Sequence, residues 1–399
     1  MKQFIVLIFI ITAGICFSNV KVSAQPIVWK KIFGGQYNEV AYNCIESRDG
    51  GYLVSGFKEV LFKGGPFTIW QAYLVKLDRY GNILWDKIIG DSSALGISPT
   101  VIEDPLGNIF FPYTEEVGHL AKLDSKGNLL WNKDYALNNI ELFRGISFEN
   151  NYRNLVLLSQ NIVQGFYSTS SITKLDTSGN VIWNKSIYDS IPSISVYTSH
   201  NNSFIFLPNS YYITGAKGVN AFIIKTDTNG NVIWNKRYFD NRGIFSIAQI
   251  SENFFIGSGQ ADAAGNLFCQ KFDSGGVVIW NKNYGNDPLA FGVGYDRIIK
   301  NFDNHFALGT TGGNKGRLLV IDSLGSILTS KFYPFPQNYL VKQKNINNTS
   351  DSGYIISGSI DSNNSISIPR IGDKQIDVLI FKIDKNGNTV SIGKFSSLV

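Results

Sequence analysis

Seven near-copies of one short pattern recur along this chain, and a recurrence of that kind constrains a fold more than composition can. The first copy reads KLDRYGNILWDK from Lys76, and its relatives begin at Lys122, Lys174, Lys225, Lys271, Val320 and Lys382. Each copy sets an Asp at its third position: Asp78, Asp124, Asp176, Asp227, Asp273, Asp322 and Asp384, separated by 46, 52, 51, 46, 49 and 62 residues. Self-similarity at a period of about 50 residues marks a repeat architecture, in which one small unit buries its apolar faces against its neighbours. The residues before each Asp run apolar, as in Ala72-Tyr73-Leu74-Val75, which suits a buried strand. The Asp-x-x-Gly step is a turn: the Asp carboxylate accepts backbone hydrogen bonds, and Gly tolerates the positive φ that ends the turn. The Ile-Leu-Trp run that follows is a second strand.

An earlier pair of strands completes each unit. In the first unit these cover residues 41–48 and 52–57, joined at Asp49-Gly50-Gly51, and the last unit repeats the pattern at 351–358. Weaker copies stand at 253–259 and 305–309. Four strands per period predict propeller blades. A blade alone cannot cover both of its faces, so the expectation is an all-β, seven-bladed β-propeller with four-stranded blades.

Trp85, Trp131, Trp183, Trp234 and Trp280 recur at one place in the fourth strand. A large ring at a fixed position of every unit reads as a wedge between blades. The sixth and seventh units carry Thr329 and Ser391 there. Trp29 lies ahead of the first blade, in a segment (residues 27–33) that reads as a fourth strand without a blade of its own. It is expected to join the last blade and close the ring, beside or in place of residues 389–395. The Lys two residues after each Trp (Lys87, Lys133, Lys185, Lys236, Lys282) reads as an outer-edge residue. Its charge discourages edge pairing while its stem covers apolar surface.

Residues 1–24 read as a secretion signal. Lys2 precedes an apolar run over residues 4–17, and Val22-Ser23-Ala24 places small residues before Gln25. The run is shorter than the roughly 20 residues that a membrane span needs. Lipidation would use Cys16, but Ile15 sits where a small residue is wanted. The remaining residues 25–399 are expected to form one propeller domain, exported to the periplasm, cell surface or medium. Cleavage takes Lys2 and Lys21 from a formal net charge of +5, leaving +3. With its basic residues scattered, such a chain is not built for nucleic acid. Cys44 and Cys269 read as buried small apolar residues rather than a disulfide framework.

The strand–Asp-x-x-Gly-Asn-x-x-Trp–strand unit resembles the repeats of quinoprotein-like propellers. It is similar, more closely, to secreted repeat proteins of Bacteroidetes, whose units combine Gly-Gly-Tyr, Ser-Gly and Lys-Leu-Asp-x-x-Gly-Asn-x-x-Trp-x-Lys. The resemblance covers nearly all of residues 27–395. Its motifs specify scaffold and leave activity open. A quinoprotein dehydrogenase would imply pyrroloquinoline quinone, calcium and a vicinal disulfide, and no Cys-Cys pair exists here. No cofactor and no metal are therefore expected. Asp227-Thr228-Asn229-Gly230-Asn231 has the look of a calcium loop, but an EF-hand needs Glu at the twelfth position, which holds Tyr238. A sialidase-type Asp box sets its Gly and Trp closer to the Asp than the three and seven residues found here. Glu115-Glu116 falls in a loop of the second blade and reads as solvated. His119, His200 and His305 show no metal spacing. No catalytic residue is assigned.

In a propeller the loops after the second and fourth strands share one face, and function concentrates on such loops. Two are long: residues 58–70 in the first blade and 361–375 in the last, neighbours across the ring closure. The first holds Phe62, Phe67 and Trp70, the second Arg370, and a similar loop in the third blade holds Phe166 and Tyr167. Aromatic rings beside an Arg suit stacking on sugars or anchoring a protein; folded back, the same rings would form a satellite core. The expectation is a monomeric, non-enzymatic propeller of the cell envelope or medium that binds a protein or glycan through this face. The alternatives are a glycan-acting hydrolase using the same face, and an outer-membrane assembly scaffold.

Overall fold

The structure is a computed structural model that describes residues 27–389, apart from residues 64, 66, 92–99, 136–139, 150, 164–166, 188–195, 198–202, 218–219, 240, 263–265, 286–296, 313–314, 336–339 and 362–375. The expected secretion signal, Phe166, Arg370, Ser391 and His200 lie outside the described residues.

Every described element is a β-strand, and the strands form seven antiparallel sheets in chain order. Blade 1 comprises Glu39–Glu46, Tyr52–Leu61, Thr68–Leu77 and Ile83–Ile89 from inside to outside. Blades 2 to 6 follow over residues 102–135, 140–187, 196–238, 243–283 and 298–334. The inner strand is cut to Ile102–Glu103 in blade 2. In blade 4 it is split into Val196–Tyr197 and Phe204–Leu207, which both pair with Ser210–Lys217.

Blade 7 is assembled from both parts of the chain. Its inner three strands are Leu340–Asn348, Tyr354–Asp361 and Ile376–Ile383, and its outer strand is Trp29–Phe33. The register places Trp29 opposite Lys382. Trp85, Trp131, Trp183, Trp234 and Trp280 stand in the same way opposite Lys76, Lys122, Lys174, Lys225 and Lys271. Trp29 thus fills the seat that the seventh repeat leaves without Trp, and Thr329 of blade 6 faces Val320 at the equivalent place.

The core is divided like the ring. Seven clusters of buried side chains lie one at each blade-to-blade boundary, such as Leu53, Phe57 and Leu74 of blade 1 against Ile109, Phe111 and Leu123 of blade 2. The central strands of each blade are buried on both faces, which is why they read as near-continuous apolar runs. The closing boundary packs Trp29, Val378 and Ile380 against Ala41, Val54 and Val75. Cys44 and Cys269 are buried in different boundaries and are not joined by a disulfide.

The repeated motif supplies the clasp between blades. In the first turn Asp78 Oδ1 accepts the N–H groups of Tyr80 and Asn82 at 2.8 Å each, and Oδ2 accepts Asn82 Nδ2 at 2.8 Å. Slight burial pushes this carboxyl up, but the Asn82 and Tyr80 donors and nearby Lys31 outweigh it and hold it below the ordinary carboxylate range. Gly81 closes the turn at φ 79°, and the Trp29 ring lies against it: a Cβ on Gly81 would sit 2.8 Å from ring carbons. Trp85, Trp131, Trp183, Trp234 and Trp280 lie in the same way against Gly127, Gly179, Gly230, Gly276 and Gly325 of the following blade. Trp29 Nε1 also donates to the Arg79 carbonyl at 3.0 Å.

The recurrent Lys does more than shield an edge. Lys31, Lys133 and Lys331 donate to the turn amides of Asn82, Asn180 and Asn388 in the next blade, at 3.0, 2.8 and 2.6 Å. A third residue belongs to the same clasp. Tyr135, Tyr238, Tyr284 and Tyr333, four residues after the Trp position, donate their hydroxyls to the carbonyls of Gly179, Gly276, Gly325 and Gly387 at 2.8–2.9 Å. Positions i, i+2 and i+4 of a strand share one face, so one strand face delivers ring, ammonium and hydroxyl to one turn.

Candidate functional site

Two places gather side chains that could meet a ligand: the central channel and the loop face. The inner strands of all seven blades line a channel of about 660 Å³. Its wall combines aliphatic groups (Ile45, Ile102, Ile205, Ile299) with amides and hydroxyls (Asn43, Thr100, Ser147, Gln249, Asn347, Asn348), and carries two cations, Arg297 and Lys300. No Asp, Glu or His stands among the described residues of that wall.

Arg297 is placed by the short inner strand Ile298–Lys300 of blade 6, just before its first residue. Its Nη1 donates to Asn345 Oδ1 at 3.1 Å and Asn347 Oδ1 at 2.6 Å, both on the inner strand of blade 7. Asn347 in turn donates to the Cys44 carbonyl at 2.8 Å and to Asn43 Oδ1 at 3.3 Å, tying blade 7 to blade 1. The guanidinium makes no ion pair with any described residue. Burial lowers its pKa to about 10, so it stays charged at neutral pH. Lys300 donates to the Ile250 carbonyl of blade 5 at 2.9 Å.

On the loop face the first expected loop is shorter than residues 58–70. Strand pairing runs on to Leu61 and Thr68, because Glu59 pairs with Trp70 across the ladder and accepts the Thr68 hydroxyl. Phe62 and Phe67 flank the tip and stack on each other, ring centroids 4.7 Å apart and 18° from parallel. Phe67 is 43% exposed, whereas Trp70 leans onto the apolar boundary between blades 1 and 2. Tyr167 opens the strand Tyr167–Asp176 and pairs with Val163. The three aromatics of blade 1 therefore divide: a stacked pair at the tip, and a ring folded back toward the core.

The acidic pair of blade 2 also divides. Glu116 is exposed, but Glu115 is buried, accepting the Asp91 N–H at 3.0 Å and standing 3.7 Å from His119 Nε2. His119 Nδ1 donates to Asp134 at 2.8 Å, and its ring stacks on Tyr113. Asp227 spends its carboxylate inside its own turn, on the amides of Asn229 and Asn231.

Motif reasoning did not find Arg297, Asn345 and Asn347. They belong to no repeat motif and meet only where blades 6, 7 and 1 converge. A signal was present: Asn345 and Asn347 flank the core residue Ile346, so alternation puts two amides on the other face of the innermost strand of blade 7.

Comparison with known proteins adds little to this geometry. No family model matches the chain, and no curated protein matches it. Among solved structures it is similar to a protein of unknown function from Bacteroides caccae, at 12% identity over 74% of this chain and 94% of that chain, with a TM-score of 0.43.

Proposed function

We propose that this chain is an exported, non-catalytic binding propeller that takes a glycan into its central channel, with the loop face as the approach. The observation that supports the reading is the channel wall. Seven inner strands set amides and hydroxyls beside isoleucine side chains around about 660 Å³, a volume within the usual range of small-ligand sites. A sugar offers hydroxyls for the first group and C–H faces for the second. The stacked Phe62–Phe67 pair at the loop tip provides a further apolar surface for a chain of sugars.

The test is a glycan array probed with residues 25–399, followed by calorimetry on any hit and on its Asn347→Ala and Gln249→Ala variants. Saturable binding weakened by both changes supports the proposal. Absence of any glycan binding overturns it, and a protein captured stoichiometrically from envelope extract would replace it with the protein-binding reading. Shortening of a bound oligosaccharide on incubation would replace it with a hydrolase.

A further inference from the structure

We infer that the ligand of the channel is an acidic glycan, and that Arg297 holds its carboxylate. This rests on the glycan reading above and names the chemical class it leaves open.

Donors outnumber acceptors around Arg297. A guanidinium carries five N–H donors. In Arg297, Nη1 alone meets protein acceptors, the side-chain oxygens of Asn345 and Asn347. Nε and Nη2 have no partner among the described residues. Asn345 adds to the surplus. Its side-chain oxygen accepts from both Arg297 and Asn347, at 3.1 and 3.2 Å, and this fixes the amide orientation. Its Nδ2 is then buried without an acceptor. The neighbourhood is thus rich in donors, poor in acceptors and positively charged.

Uncompensated charge at a partly enclosed site is costly, and proteins that keep it supply a counter-charge. Among the described residues the wall offers none, and the other cation of the channel, Lys300, meets no carboxylate there either. The two Asn carbonyl oxygens orient the guanidinium without neutralising it. A planar fork with its second edge unused matches the two oxygens of a carboxylate. The apolar and amide parts of the wall then serve the ring that carries it.

Calorimetry with tetragalacturonate, its full methyl ester and free acetate tests this on residues 25–399. The acid is expected to bind at least tenfold more tightly than the ester. Arg297→Gln should bring the two to equal affinity. Asn345→Asp gives a second route that does not remove the cation: the new carboxylate occupies the guanidinium from within, and the preference for acid should fall in the same way. Both variants are checked by far-UV circular dichroism, and the second answers the question if the first fails to fold.

Equal binding of acid and ester by the unaltered chain would overturn the inference and leave the glycan reading standing. So would an acid preference that survives both changes. Binding of neither probe, with an empty array, would overturn the glycan reading and this inference with it. Displacement of the acid by millimolar acetate would assign the site to free carboxylates rather than glycans.

Discussion

Gly81 offers the sharpest test of how the ring is held shut. It stands at φ 79°, and Gly50 in the same blade stands at φ 80°. The two differ in surroundings: a Cβ on Gly50 meets nothing within 4 Å, whereas one on Gly81 sits 2.8 Å from two carbons of the Trp29 ring. Gly50→Ala therefore measures bare backbone strain, about 1–2 kcal/mol for an L-residue in the left-handed region. Gly81→Ala carries the same strain plus displacement of a ring that is 6% exposed and hydrogen-bonded to Arg79. Overpacking of that kind adds about 1–3 kcal/mol, for a total near 2–5 kcal/mol. Trp29→Ala alone should cost about 3–5 kcal/mol. With the ring gone, Gly81→Ala should fall back to about the cost of Gly50→Ala, a coupling of about 1–3 kcal/mol. Urea unfolding followed by circular dichroism across the four proteins of this cycle, with Gly50→Ala as control, reads the result. A Gly81→Ala midpoint equal to that of Gly50→Ala, or a strictly additive cycle, would refute docking of the N-terminal Trp on the first blade's turn.

Two other perturbations follow from the same contacts. Removing residues 25–33 deletes the outer strand of blade 7 and bares the edge of Ile376–Ile383, so the protein should melt lower and self-associate through that edge; an unchanged melting curve and a monomeric elution volume would count against ring closure. Low pH should loosen the blade turns together. The carboxyls of Asp78, Asp176, Asp227 and Asp322 lie below their ordinary range because, against slight burial, their turn amides favour the charged form; at Asp124 the Asn128 side chain and backbone lead. A depressed folded pKa contributes stability that is present above the unfolded value of about 3.9 and lost as pH falls through the folded one. Thermal midpoints should therefore drop from about pH 4 downward, and Asp227→Asn should shrink the drop; a flat profile to pH 2.5 would contradict the role given to these turns.

Much of the fold was legible in the chain itself, for reasons visible in single residues. Asp78, Gly81 and Trp85 act within one hairpin or against the next unit, and seven copies of a local rule can be read in line. The place of Trp29 was readable because its segment carries the fourth-strand Trp that the last unit replaces with Ser391. The tyrosines of the clasp escaped notice because Tyr135, Tyr238, Tyr284 and Tyr333 alternate with Ile89 and Ile187 at the same position, and a hydroxyl's partner lies in another blade. The lysines were read as solvent-facing for the same reason: Asn180 is 47 residues from Lys133 and meets it only across a boundary.

Local chemistry in the repeats was thus enough to determine strand, turn, blade count and the join between the two ends, since each depends on contacts within a unit or with the next. The channel was decided elsewhere. Arg297 acquires its meaning from Asn345 and Asn347, and its surplus of donors from a channel wall with no carboxylate among its described residues. No stretch of chain records that balance, because a ring brings together at its axis groups that its sequence keeps from about 50 to about 300 residues apart.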